Sequence, residues 1–331
     1  MRIGLEEKDK EISLVFEILK KFEGKEVSLE ELLLKCFKAN VSSSDLIFLI
    51  LQDLEKKGYC EGRKGRIKIL KNLDEIEEKT KERVRERVKR VRKAFVTPLD
   101  VAKFYLCPRR LWLEKVIQAK QEKEEKGNVW DGEAVHYAVK LLVENLPQPD
   151  LEECVEKTFK KYEGKLTLKK EDLKKFLKNL LQFFEQENIK EVLSEKLIES
   201  VKNGIIGKPD LIAIKDEEIF PIDIKLGKIK KLRKEHLIQS FGEALLVESY
   251  FRKKVNKSYI IYFGSNAVLD VEVKEKQKKE FLKLKRSIGK MLKSNFIPRM
   301  SNLPNFRQRV CKGCHVRRTC EAIENYRRIR I

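Results

Sequence analysis

Long apolar runs are missing from this chain: no segment approaches the roughly 20 residues that a membrane-crossing helix needs, so no membrane partner is expected. Glycine-rich phosphate loops are missing too. Without a Walker-type or dinucleotide fingerprint, the chain is expected neither to hydrolyse ATP nor to use a nucleotide cofactor. No Ser or Cys lies in a nucleophile elbow beside a His, which argues against covalent catalysis. Histidine is scarce, with three copies, His136, His236 and His315. There is no internal repeat and no low-complexity linker. The opening Met1 to Lys8 has no targeting character, so a cytoplasmic protein is expected.

Basic charge is abundant. Lys and Arg number 74 against 53 Asp and Glu, a formal net charge of +21, and such a surplus suits a nucleic-acid partner. With 38% charged residues the chain also fits a thermostable protein whose charges form solvated networks on helix faces. Its 331 residues leave room for a full core and more than one domain.

Chemistry concentrates between Gly207 and Lys225. Leu211 to Ile214 and Ile219 to Ile224 flank the polar Lys215-Asp216-Glu217-Glu218, a pattern that predicts a β-hairpin. Asp210 and Asp223 then face each other. Two acids converging on an apolar sheet are costly unless a divalent cation lies between them, and hard oxygen ligands suit Mg²⁺ or Mn²⁺. Lys225 lies two residues after Asp223, on the same face of the strand. It thereby sets an ammonium group beside an attacking water and a phosphate. The plain alternative is a hairpin with an exposed Asp at each end and a surface Lys.

Cysteines form a second constellation. Cys311, Cys314 and Cys320 make C-x2-C-x5-C, and Cys107 stands far upstream in Phe104-Tyr-Leu-Cys-Pro-Arg-Arg-Leu-Trp. Four thiolates would complete a tetrahedral site. Seven cysteines without a signal peptide point to a reducing compartment, where a metal or cluster is expected before disulfides. Cys36, Cys60 and Cys154 sit in apolar contexts and read as small buried hydrophobes.

From about Thr97 onward the chain resembles a RecB-type nuclease of the PD-(D/E)XK superfamily, in the branch carrying an iron-sulfur cluster. It is similar to the fourth CRISPR-associated protein family. The matching residues, in order, are Cys107-Pro108 with its following arginines, Gly132-x-x-x-His136, Gly207-x-x-Asp210, Asp223-x-Lys225, Gln239, and Cys311, Cys314 and Cys320. The resemblance implies a restriction-endonuclease-like mixed α/β sheet flanked by helices. It further implies that His136, Asp210, Asp223 and the carbonyl of Ile224 bind Mg²⁺ or Mn²⁺, that Lys225 polarises the attacking water, and that Gln239 places the lysine or the substrate.

The implied activity is a DNA exonuclease acting on single strands or frayed ends, in CRISPR spacer acquisition beside integrase proteins. The alternatives are end resection with a helicase and a partner-activated or non-catalytic DNA-binding factor. For the four cysteines, Cys107, Cys311, Cys314 and Cys320, the resemblance favours a [4Fe-4S] cluster. Zinc comes second, because its structural sites usually use two close pairs. Where the family commonly has a Tyr four residues after the Gln, this chain has Glu243.

His136 lies at the edge of an amphipathic helix, Glu133 to Val143, and by itself reads as structural; the family spacing after Gly132 makes it a ligand candidate. His236 and His315 read as surface or supporting residues. Arg109, Arg110, Arg307, Arg309, Arg317 and Arg318 interleave with Trp112 and Phe306 around the cysteines, a mixture suited to phosphates and stacked bases.

Three parts are expected. Residues 1–70 give three helical patterns and a two-stranded wing, which resembles a winged-helix domain. The third pattern is acidic and apolar, so protein docking is favoured over sequence-specific DNA reading. Residues 71–95 form a charged connector helix with a stripe of Val84, Val88, Val91 and Phe95, and residues 96–331 form the nuclease-like domain.

Overall fold

The computed structural model describes residues 5–63, 65–90, 95–119, 128–229, 232–293, 297–298 and 310–329. Near the N-terminus, α1 (Leu5–Lys20) is followed by β1 (Glu26–Ser28), α2 (Leu29–Lys38), α3 (Ser44–Lys56), β2 (Cys60–Arg63), β3 (Arg66–Ile69) and α4 (Glu77–Arg90). The Ser28 side chain accepts from the Glu31 N–H at 3.0 Å and starts α2. Gly58, at φ +69°, adopts the left-handed conformation that ends α3. The three short strands pair antiparallel in the order β1-β3-β2.

One apolar core unites these elements, with Ile12, Phe16, Leu32, Ile47, Ile50 and Leu54 at its centre. The charged segment after β3 joins it. Leu73, Ile76 and Val84 are buried in that core, and Thr80 donates to Asp53 Oδ2 at 2.9 Å. Val91 and the Val88 side chain lie outside the described residues.

The rest of the chain runs α5 (Pro98–Leu106), α6 (Pro108–Trp112), a π-helical turn (Leu113–Ile117), α7 (Asn128–Glu144), α8 (Leu151–Lys161) and α9 (Lys170–Gln186). Strands β4 (Glu191–Ser194), β5 (Ile198–Ser200), β6 (Ile205–Gly207), β7 (Leu211–Lys215) and β8 (Glu218–Lys225) follow, then α10 (Lys234–Phe251), β9 (Lys257–Tyr262), β10 (Ala267–Glu272), α11 (Glu275–Lys293) and α12 (Arg317–Ile329).

The main sheet has the order β10-β9-β8-β7-β4, with β8 and β9 parallel and the other neighbours antiparallel. A parallel pair needs a crossover, and α10 provides it. The fold is therefore a mixed α/β sheet flanked by helices, as expected. Strand β8 is buried on both faces from Ile219 to Ile224, which is why it reads as a continuous apolar run and not as an alternation. Helix α10 is buried almost all round, wedged between the sheet, α5 and α11. A Cβ at Gly242 would lie 2.4 Å from the Phe281 ring, so only glycine allows α11 to approach so closely.

The N-terminal elements dock on the far end of α10. Tyr250 donates to the Val41 carbonyl at 2.7 Å, and Phe37 packs against the rings of Tyr250 and Phe251. Beside them Lys8 donates to Glu199 Oε2 at 2.7 Å in a buried ion pair, with Ser42 and Glu11 completing the network. Arg252 pairs with Asp45 at the start of α3.

Candidate active site

Register places the two acids. Leu211 of β7 faces Ile222 of β8, so the residues just beyond, Asp210 and Asp223, lie across from each other. Asp216 and Glu217 make the two-residue turn, with Asp216 at φ +46°. Asp210 Oδ2 accepts from the Ile224 N–H at 2.7 Å, which fixes its carboxylate to the neighbouring strand. Helix α7 brings His136 to the same place, with Nδ1 3.5 Å from Asp210 Oδ1. At Gly207 a Cβ would lie 2.9 Å from Leu246 and 3.1 Å from Pro98, so glycine lets β6 close against α10 and α5.

Asp223 is 1% exposed. Its Oδ1 accepts from Lys225 Nζ at 2.8 Å and from Gln239 Nε2 at 3.0 Å. Its Oδ2 also lies 2.8 Å from Nζ, yet it makes no hydrogen bond. Burial pushes the Asp223 carboxyl up to about 7; Lys225 opposes that rise and Asp210 adds to it. At Lys225 burial works to lower the pKa, but Asp223 and Glu243 outweigh it and hold the amine above its ordinary value. The acid rises mainly because it is buried, whereas the amine rises because carboxylates surround it.

Glu243 is part of that excess. It is 5% exposed, accepts from Gln239 Nε2 at 2.9 Å through Oε1, and leaves Oε2 without a partner. Burial first, then Asp223 and Asp210, pushes its carboxyl well above the usual range. Buried acid oxygens without partners are costly. The Asp223 carboxylate, in ion-pair contact with Lys225 and beside Asp210 and His136, belongs to a set of oxygen and nitrogen donors that fits a divalent cation. Among the described residues no three His, Cys, Asp or Glu side chains stand close enough to hold a metal as they are.

His236, read from the sequence as a surface or supporting residue, is half-buried against the site. Its Nδ1 lies 2.6 Å from the Tyr262 hydroxyl, and Tyr262 is the β9 partner of Lys225. Burial, followed by the charges of Lys225 and Arg233, lowers its pKa to about 4. The neutral imidazole and the tyrosine hydroxyl therefore share one hydrogen bond. A helix-to-strand contact of this kind leaves no local trace in the sequence.

The cysteines gather elsewhere. Thr97 and Asp100 form a reciprocal capping box at the start of α5. The same helix ends at Cys107, whose Sγ accepts from the Arg110 N–H at 3.4 Å. Cys314 and Cys320 pack against Trp112, Leu113 and Val316, so their segment lies on the helix that Cys107 caps. Two expectations need correction. Arg109 is 3% exposed, donates to the Pro298 carbonyl and pairs with Glu324, and Trp112 is 6% exposed, so neither is free to meet DNA. Phe306, Arg307 and Arg309 lie outside the described residues. Cys36, Cys60 and Cys154 are buried, and burial raises the Cys36 thiol to about 12.

A mixed sheet with acids and a lysine at one hairpin defines a class. Residues 96–321 match the model of the PD-(D/E)XK nuclease superfamily, and the chain belongs to that superfamily. Its members are typically metal-dependent nucleases, usually with Mg²⁺ or Mn²⁺, so a DNA substrate is implied. No curated protein matches the chain. Among solved structures, the crystal structure of SSO0001 is similar at 14% identity, covering 82% of this chain and 92% of that one, with a TM-score of 0.33. Among the described residues, no helix is long and apolar enough to cross a membrane.

Proposed function

We propose that this chain is a DNA exonuclease acting on single strands or frayed ends, of the CRISPR-associated RecB-like kind, with residues 1–70 as a winged-helix docking module. Residues 71–95 are the segment that joins it to the nuclease domain. The observation that carries the nuclease reading is the meeting of Asp210, Asp223 and Lys225, with one buried Asp223 oxygen left without a hydrogen bond.

His136, Asp210, Asp223 and the Ile224 carbonyl would hold the cation. When bound, Mg²⁺ or Mn²⁺ supplies charge neutralisation at the scissile phosphate and a water of lowered pKa. Lys225, kept protonated by its carboxylate neighbours, places positive charge where the phosphate gains negative charge. Gln239 holds Lys225 and Asp223 in one geometry, because its carbonyl accepts from the amine while its amide donates to the acid. Glu243 anchors the second amide hydrogen. Depletion of water by burial strengthens each of these contacts.

Cys107, Cys311, Cys314 and Cys320 are proposed to hold a [4Fe-4S] cluster that staples α5 to the C-terminal segment. Supporting this are the thiol donor set and the packing of Cys314 and Cys320 on Trp112, five residues beyond Cys107. Linear and circular single-stranded DNA, each incubated with Mg²⁺ or Mn²⁺, test the exonuclease reading. Loss of the linear strand with the circle intact is expected; cutting of the circle contradicts it. Colour and iron content of anaerobically purified protein test the cluster, and a colourless, iron-free, folded protein contradicts it.

A further inference from the structure

A cavity of about 400 Å³ opens directly beside the paired His136 and Asp210. Its volume is at the low end of the range for ligand pockets. Tyr137, Tyr162 and Lys161 line it as well. Tyr137 follows His136 on α7, so the ring and the candidate metal ligand share one helical turn. Tyr162 ends α8, 6.1 Å from the Tyr137 ring, and Trp130 lies 6.3 Å beyond it, giving a row of three rings.

Lysines cover that row. Lys161 Nζ lies 3.6 Å from the centre of the Tyr137 ring, and Lys165 Nζ lies 4.4 Å from that of Trp130. The buried Asp131 carboxylate holds the arrangement together, accepting from the Thr167 N–H at 2.8 Å and the Leu168 N–H at 3.2 Å, so that the loop after α8 is tied to the first turn of α7. An exposed lysine on a tyrosine face is weakly held, and a nucleobase stacks on such a face more strongly.

Charge decides which part of a nucleotide enters. Glu133 and Glu195 balance Lys140 and Lys161 among its lining residues, so the cavity itself offers a phosphate no surplus of positive charge. A nucleobase carries no charge, and its amino groups suit carboxylate acceptors. We propose that this cavity is a nucleobase subsite, in which the base flanking the scissile phosphate stacks on Tyr137 while the displaced Lys161 turns to the neighbouring phosphate.

This inference rests on the nuclease reading and adds to it a position at which the strand must be unpaired. The test is binding of a labelled single-stranded oligonucleotide in Ca²⁺, with wild type, Tyr137→Phe and Tyr137→Ala, against a series in which one nucleotide at a time is abasic. Tyr137→Ala is expected to weaken binding about tenfold, and Tyr137→Phe to match wild type. One abasic position should weaken wild type by a similar factor and leave Tyr137→Ala unchanged. Equal abasic sensitivity in wild type and Tyr137→Ala would overturn the subsite, even where wild type cuts the same strand in Mg²⁺. A wild type that neither binds nor cuts DNA overturns the nuclease reading as well, so the two failures are distinct.

Discussion

Lys225 Nζ donates to Gln239 Oε1 at 2.9 Å, which ties the last residue of β8 to the second turn of α10. The same carboxamide donates to Asp223 and Glu243, so both its N–H donors and its oxygen are engaged inside the site. Replacing it by an apolar isostere strands three charged or polar partners at once. Gln239→Leu is expected to lower stability by about 2–4 kcal/mol, less than three stranded partners at about 1–3 kcal/mol each would sum to, because Lys225 and Asp223 still hold each other. It should lower the cleavage rate more than substrate binding. Urea unfolding and single-turnover cleavage check both, and a variant with wild-type rate removes the positioning role.

Lys8 and Glu199 make a buried ion pair between the N-terminal elements and the nuclease domain. Burial, only partly opposed by Lys8, already raises the carboxyl of nearby Glu11. Lys8→Met leaves two acids without their cation and should cost roughly 3–5 kcal/mol. Adding Glu199→Gln should recover part of that loss, a coupling that a double-mutant cycle measures.

Gly242 faces Phe281 and Pro98 at distances that no Cβ tolerates, 2.4 Å and 2.9 Å. Gly242→Ala forces α10 and α11 apart, at a cost at or above the 1–3 kcal/mol typical of overpacking. A smaller partner in Phe281→Leu should restore part of the melting temperature. A Gly242→Ala protein that melts like wild type contradicts this packing.

His236 sets an acid limit. Its folded pKa of about 4 lies below the ordinary 6.5, so on acidification the unfolded chain takes the proton first. The neutral ring therefore adds stability above about pH 6.5, and this is lost as pH falls through about 4. Partial exposure of the ring reduces the effect to about 1–2 kcal/mol. The melting-temperature difference between wild type and His236→Gln should shrink steadily across that window.

The hairpin was legible because its apolar runs and polar turn fix the register, and register alone sets Asp210 against Asp223. Lys225 followed from strand alternation. Helix α10 hid more. Gln239 and Glu243 are spaced like ordinary solvated helix residues, and their burial comes from packing between the sheet, α5 and α11, which local pattern does not encode. The charged segment after β3 reads as a connector helix, yet Leu73 and Ile76, in the turn before α4, and Val84, on it, are in the N-terminal core. Arg109 and Trp112 misled for the opposite reason: a guanidinium and an indole suit DNA and a buried ion-paired corner equally well.

Asp223 carries the central claim. End-labelled single-stranded DNA should be cut by wild type in Mg²⁺ or Mn²⁺ and not in chelator, while Asp223→Asn should lose on the order of a thousandfold or more in rate. Without metal the variant should melt no lower than wild type, because it removes a carboxyl that burial disfavours. Added cation should raise the wild-type melting temperature and leave that of the variant unchanged. A folded Asp223→Asn protein that still cuts DNA at the wild-type rate, with the same response to metal, would contradict the account.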